Sequence, residues 1–506
     1  FQWWRIVDAE WGREEEVAMG RLRRTVWPEL VDAEEPGRLV GFSAAAVVVG
    51  VLTGLVAAGF RLALDAAGHG RGLLIAWAHG SPVLGLLLVA GVCAAATAVA
   101  AALVHRIEPH AEGSGIPRVE AVVAGRMDPG SPLILPVKFV GGVLAIGSGL
   151  ALGREGPSVQ MGGNVAVIVA RLLRRNSFDL RVLVAAGAAA GLGTAFNAPI
   201  AGGVFVLEEL VRRFDPRTTI ATLLASASGF AAARLVLGDA VEIFHTSPIG
   251  SPTFTEIPLV VIVGVAAGLL GVVYNRLVLG TLDVWDASSL PREARAALVG
   301  AGVGVLAFTA PDLVGGGDLL TQRALLAEGT LGVVAGVLAL RIVLGVVSYA
   351  AGTPGGLFAP MLVVGSHLGL LVALTGQALV PHWTPQPAAL ALIGIAAFFT
   401  ATVRAPLTGI VLATELTGVT NQLPPMLGAC ALAMLVATVL RSEPIYDALA
   451  TRAARAARQN RGASGGGGHG PQRGRLSSPG PGGRCGHAHS SGLAPSSASG
   501  CARAAR

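Results

Sequence analysis

Charged residues are rare along most of this chain, and the gaps between them set its architecture. Uncharged runs extend from Leu39 to Phe60, Gly72 to His105, Ile257 to Asn275, Ile342 to Val403 and Thr417 to Leu440. Each is long enough for one or more helices of the roughly 20 residues that a bilayer crossing needs. Their lengths and spacing predict well over ten helical pieces, many of them interrupted by glycine and proline. Two stretches echo one another: Ala198-Pro199-Ile200-Ala201-Gly202-Gly203-Val204 through Glu208, and Ala405-Pro406-Leu407-Thr408-Gly409-Ile410-Val411 through Glu415. A weaker echo sets Gly153 to Pro157 against Gly352 to Gly356 in the same order. Paired, interrupted apolar segments predict two repeat halves, about 38–236 and 257–440, with a site where the broken helices meet.

Composition agrees. The 506 residues are 53% hydrophobic and 13% charged, with a mean hydropathy of +0.65. Soluble domains carry about 25% charged residues, so the pattern predicts an all-α polytopic membrane protein. Glycine, at 70 residues, suits close helix contacts and broken helices.

The ends differ from the middle. Residues 1–37 are polar, with Trp3, Trp4, Trp11 and Trp27 beside Arg21, Arg23 and Arg24, as in an interfacial helix. From Arg441 onward ten arginines face only Glu443 and Asp447, which places that end in the cytoplasm. The membrane domain is expected over 38–455, and the Gly/Ser/Pro/Arg-rich segment 456–506 is expected to be disordered. Of four cysteines, Cys93 and Cys430 lie in apolar runs and Cys485 and Cys501 in the tail, so neither a disulfide framework nor a metal site is implied. No cofactor and no nucleic-acid partner is expected.

Between Phe139 and Ala170 the only charged side chains are Arg154 and Glu155, within Gly153-Arg154-Glu155-Gly156-Pro157. An ionisable group at bilayer depth costs roughly 2.5 to 3.5 kcal/mol, so Glu155 is a candidate ion or proton handler. Three glycine-rich breaks precede apolar runs: Gly113-Ser114-Gly115-Ile116-Pro117, Gly153 to Pro157, and Gly355-Gly356-Leu357-Phe358-Ala359-Pro360. Each can present a helix N-terminus, whose free N–H groups and dipole attract anions. Convergence of the three would make an anion site, with the Ser114 hydroxyl as a further donor.

In their order, these motifs (GSGIP, GREGP and GLFAP) resemble those of the CLC family of chloride channels and proton-coupled chloride transporters, in its bacterial type without CBS domains. Lys138-Phe139, Phe196-Asn197-Ala198-Pro199, Glu208-Glu209, Arg404 to Gly409 and Pro444-Ile445-Tyr446 support the match, which spans about Leu39 to Ala454. The resemblance implies a fold of about 17–18 tilted and partial helices in two inverted-topology halves. It also implies a homodimer in a lipid bilayer, in a bacterial inner membrane with both termini cytoplasmic.

By the same resemblance, chloride is held by Ser114, Gly115 and Ile116, by Arg154 and Gly156, by Gly356, Leu357 and Phe358, and by the Tyr446 hydroxyl. Glu155 is the gate, a carboxylate that mimics an anion and leaves when protonated. Glu209 matches the internal proton-transfer acid, which favours chloride/proton antiport over the alternative, a passive gated channel. Lys138 supports the field near the pathway, or snorkels from a helix end. Glu208 reads as the polar end of a helix running into Arg212 and Arg213. Ser114, where nitrate-selective relatives tend to carry proline, points to chloride. A rival reading, an intramembrane hydrolase using Ser114 or Ser148 with His105, finds no catalytic setting, so no enzyme is expected.

Overall fold

A computed structural model of the protein describes residues 36–238, 244–380 and 386–465. Among these residues it contains seventeen α-helices, and extended backbone pairs only at two isolated bridges. Eight helices come first: α1 (Pro36–Ala78), α2 (Pro82–Arg106), α3 (Ile116–Val123), α4 (Ile134–Gly147), α5 (Glu155–Leu172), α6 (Ser177–Phe196), α7 (Pro199–Phe205) and α8 (Pro216–Leu237). Eight more follow in a matching order: α9 (Ile257–Ala287), α10 (Arg292–Thr309), α11 (Asp318–Leu325), α12 (Leu331–Ala350), α13 (Phe358–Leu379), α14 (Pro387–Val403), α15 (Pro406–Thr417) and α16 (Leu423–Val439). The last, α17, is Ile445–Gly465. The expected all-α fold in two halves is what the chain forms.

Packing repeats with the order. Helix α1 packs on α8 as α9 packs on α16, and α5 on α6 as α13 on α14. The halves meet through α2 against α10 and α7 against α15. Glycine permits the tightest of these contacts. A Cβ at Gly162 would strike the Gly187 carbonyl across the α5–α6 contact, and one at Gly394 would strike the Gly365 carbonyl across α13–α14. With lipid on the outside, such close backbone approach takes over the task that apolar burial performs in water. Among the described residues seven helices are long and apolar enough to cross a membrane, while α4, α14 and α16 are shorter apolar helices. The buried centre is formed by α5, α6, α13 and α14.

Two expectations change. Glu208 does lie on the last helical turn before Arg212 and Arg213, but its carboxylate does not end there in solvent: it accepts hydrogen bonds from the N–H groups of Leu407 and Thr408 at the start of α15. Orphan amides at a helix N-terminus are a stronger claim on a half-buried acid than solvent is. Further, α17 continues through residues 456–465, which were expected to be disordered. The Ala-Arg-rich sequence from Ala450 to Ala457 has high helix propensity and carries α17 onward. The expected interfacial helix of residues 1–37 lies almost wholly outside the described residues.

Candidate functional site

The three glycine breaks meet. Gly113 and Gly355 are joined through Gly113 N–H to Thr353 O, 3.2 Å, and Gly355 N–H to Gly113 O, 3.0 Å. Gly153 and Gly356 exchange both of their hydrogen bonds, at 2.7 and 2.8 Å. The junction therefore combines loops from both halves and places the N-termini of α3, α5 and α13 around one buried centre. Contact is closest at glycines. A Cβ at Gly156 would lie 2.8 Å from the Ser114 Cβ, and one at Gly356 would lie 3.1 Å from the Gly156 nitrogen. Gly115, the residue before α3, has φ of 76°, a conformation that glycine adopts at little cost.

Ser114 is buried, and its hydroxyl oxygen accepts the Ile116 N–H at 3.3 Å. That bond occupies a lone pair and leaves the hydroxyl proton to donate elsewhere. Lys138 is fully buried within α4, and its ammonium donates to the carbonyls of Ala111 and Gly113 at 3.0 and 2.6 Å. It is therefore a clamp on the loop that carries Ser114, and its nitrogen stays inside rather than snorkelling.

Glu155 is the first residue of α5 and is 2% exposed. Its carboxylate folds back over Gly153, where a Cβ would collide with it, and lies beside its own amide and that of Ala359 in α13. Oε2 has no hydrogen-bond donor. An acid at a helix N-terminus has the favourable end of the dipole, and here two helix starts share one acid. Arg154 Nε donates to Ala195 O at 3.2 Å.

Leu357 and Phe358, at the start of α13, are fully buried. The Phe358 ring sits among Phe196, Phe205 and Phe399, with centroids 4.8, 5.8 and 4.5 Å away. Phe205 in turn meets Tyr446 edge-on at 6.4 Å. The Tyr446 hydroxyl is fully buried and has no protein partner. A buried phenol ordinarily finds a hydrogen-bond partner; this one has none among the described residues. Tyr446 also lies within electrostatic range of both Glu155 and Glu209.

Glu209 is 4% exposed and sits on a π-helical turn, Val206–Leu210, that follows α7. Such turns are frequent at functional sites. This one separates neighbouring acids, since Glu208 reaches α15 while Glu209 turns inward. Glu209 Oε1 has no hydrogen bond, and Arg212 stands 3.7 Å away. Arg212 pairs with Asp447 at 2.6 Å and lies 3.9 Å from Glu120. Glu209 is thus a buried acid beside an exposed guanidinium.

Several contributors were missed by sequence reasoning. Gln160 underlies Gly115 and donates to His110 O at 2.7 Å. The Tyr349 hydroxyl lies against Gly113 and Ser114. Glu120, buried on α3, binds Arg126 at 2.7 Å and faces Arg212. Each is a polar residue in an apolar helix, and that was the available signal. Ser148, weighed as a nucleophile, donates its hydroxyl to Ala145 O at 2.8 Å.

Matched halves, interrupted helices and a centre built from helix N-termini define a repeat-built polytopic membrane protein that accommodates anionic groups. The chain belongs to the voltage-gated chloride channel family, the CLC family, whose model matches residues 96–438. It is 36% identical over 420 residues to the H(+)/Cl(-) exchange transporter ClcA of Vibrio parahaemolyticus, covering 80% of this chain and 88% of that one. It is 34% identical over 450 residues to the ClcA exchange transporter of Yersinia pseudotuberculosis, covering 87% and 92%. A crystal structure of a slow cyanobacterial Cl-/H+ antiporter superposes with a TM-score of 0.78 at 33% identity, covering 83% of this chain and 99% of that one.

Proposed function

We propose that the protein exchanges chloride for protons across a bilayer, with chloride held at helix N-termini and Glu155 as the gate. The observation that carries this is the Glu155 carboxylate lying over Gly153, against amides at the starts of α5 and α13. Those amides suit any compact anion, so a deprotonated Glu155 occupies a place that chloride competes for. On taking a proton the carboxyl loses that attraction and leaves the place open. Chloride entry and proton uptake are thereby linked, and the only bond made or broken is the O–H bond of the proton that Glu155 takes up and releases.

The central chloride is assigned to Ser114, the Leu357 and Phe358 amides, and the partnerless Tyr446 hydroxyl. The amides of Gly115 and Ile116 and those around Arg154, Gly156 and Gly356 complete the anion path. Lys138 fixes the Ser114 loop and supplies positive field. Glu209 is the proton's station on the side reached through Arg212. The names of the relatives, exchange transporters and an antiporter, support exchange over passive conduction.

The decisive test uses purified protein in liposomes with a chloride gradient. Uphill proton movement driven by chloride is expected, and chloride flux without it would leave a passive channel.

Three further features are part of this reading. The protein works as a homodimer in a lipid bilayer, which cross-linking and single-molecule photobleaching test. It lies in a bacterial inner membrane with both termini cytoplasmic, so Cys485 and Cys501 should react with an impermeant thiol reagent only in inside-out vesicles. Residues 38–455 perform transport, and a chain ending after Gly465 should retain exchange.

A further inference from the structure

Four helix ends gather at one place that shares no residue with the site above: the start of α1, the end of α5, and the starts of α6 and α8. Between them is a cavity of ≈ 410 Å³ whose polar lining is Arg38, Arg174, Arg175, Asn176, Asp179 and Arg217. Among the described residues, four guanidinium groups thus face a single carboxylate. Arg217 is committed to the wall, bonded to Asp179 at 2.6 Å and resting 4.2 Å from the Phe42 ring centroid. Arg175 is partly committed, donating to Gly41 O at 3.3 Å with Asp179 at 3.7 Å. Arg38 and Arg174 are exposed and have no acidic partner among the described residues. The cavity therefore keeps a surplus of positive charge in a built frame, to which the start of α6 adds its dipole.

The segments that carry this lining also carry exposed apolar side chains. Val40 is 69% exposed, Leu172 76%, Phe178 53% and Phe214 60%. From Val40 the exposed apolar surface continues along α1 through Val48, Leu52 and Leu55. A soluble anion would account for the arginines alone. An amphiphile accounts for both, with its anionic head in the cavity and its chains on the apolar surface.

We propose that this cavity is a binding site for a phosphate-bearing anion, the headgroup of an anionic membrane phospholipid, held between Arg38 and Arg174 and distinct from the chloride path. Guanidinium forks match phosphate oxygens in pairs. Arginines that served only to orient the chain in the membrane would show no such selectivity.

The test titrates the purified full chain in detergent with fluorescent phosphatidylglycerol and, separately, with phosphatidylcholine. Saturable binding of phosphatidylglycerol alone is expected. R38Q/R174Q should weaken it about thirtyfold, at about 1 kcal/mol per arginine, while chloride and proton fluxes in phosphatidylcholine liposomes stay as in the parent. R38Q alone, which alters one exposed residue in the first turn of α1, covers the case in which the double variant does not fold, and should weaken binding about fivefold. Arg181→Gln, on α6 but outside the cavity, should leave binding unchanged. Competition by inorganic phosphate names the source: displacement only by phosphatidylglycerol indicates the lipid, and displacement by inorganic phosphate at similar concentration keeps the site but makes a soluble phosphate its occupant. Equal binding of the two lipids, or unchanged binding in R38Q and R38Q/R174Q, would overturn the proposal.

Discussion

Glu208 and Glu415 each cap the helix that carries the other. Glu208 accepts from Leu407 N–H, Thr408 N–H and the Thr408 hydroxyl at 3.0, 2.7 and 2.7 Å. Glu415, in α15, accepts from Ile200 and Ala201 N–H at 3.0 and 2.6 Å at the start of α7. The sequence echo around these residues is thus a contact as well as a repeat. Replacing either acid by alanine leaves amides at a half-buried helix start without an acceptor, at about 1 to 2 kcal/mol each. The melting midpoint of the purified protein should fall in both variants. An unchanged midpoint would show that the caps contribute nothing.

Glu155→Ala removes the acid that competes with chloride while keeping the helix starts. Chloride should then pass without coupled protons, and faster at low proton concentration than in the parent. Strict coupling in this variant, measured in the same liposomes, would refute the gate.

For Glu209→Ala the expected change is confined to protons. Its Oε1 accepts no hydrogen bond and stands 3.7 Å from Arg212, which Asp447 holds more closely, so folding has little to lose. Proton flux should drop well below the parent level with chloride flux retained. Loss of both fluxes together would remove Glu209 from the proton path.

Tyr446→Phe isolates one hydroxyl. A hydrogen bond to a charged group is worth about 1.5 to 3 kcal/mol, so chloride binding by calorimetry should weaken tenfold or more. Because that hydroxyl has no protein partner, the melting midpoint in chloride-free buffer should be unchanged or higher. Undiminished chloride affinity would mean that the phenol faces something else.

Gly153→Ala tests the gate's resting place sterically. The added Cβ collides with the Glu155 carboxylate, whereas one at Gly59 meets nothing within 4 Å. Chloride leak should rise in the first variant alone. Equal leak in both would indicate a general effect of alanine.

Much of this was legible because glycine and proline act locally. The three breaks, the two halves and the isolated Glu155 all follow from where charge and helix propensity stop. Partners across the fold were not legible. Nothing near Lys138 in sequence announces that its ammonium holds the carbonyls of Ala111 and Gly113. Adjacent acids at 208 and 209 looked alike until a π-helical turn sent one to α15 and the other inward. Glu120 escaped notice because its partners, Arg126 and Arg212, belong to a loop and to the segment after α7.

The double hydrogen bond between Gly153 and Gly356 has a mechanical meaning. It ties loops of the two halves together beside Glu155, so neither half can swing there without breaking backbone pairing among buried residues. Repeat-built transporters that rock one half against the other place their hinge at the site. Under the proposed gating role of Glu155, with the halves tied here, opening falls to the carboxylate side chain and is a rotamer change, a motion of picoseconds to nanoseconds in exposed side chains and slower where it must displace an ion.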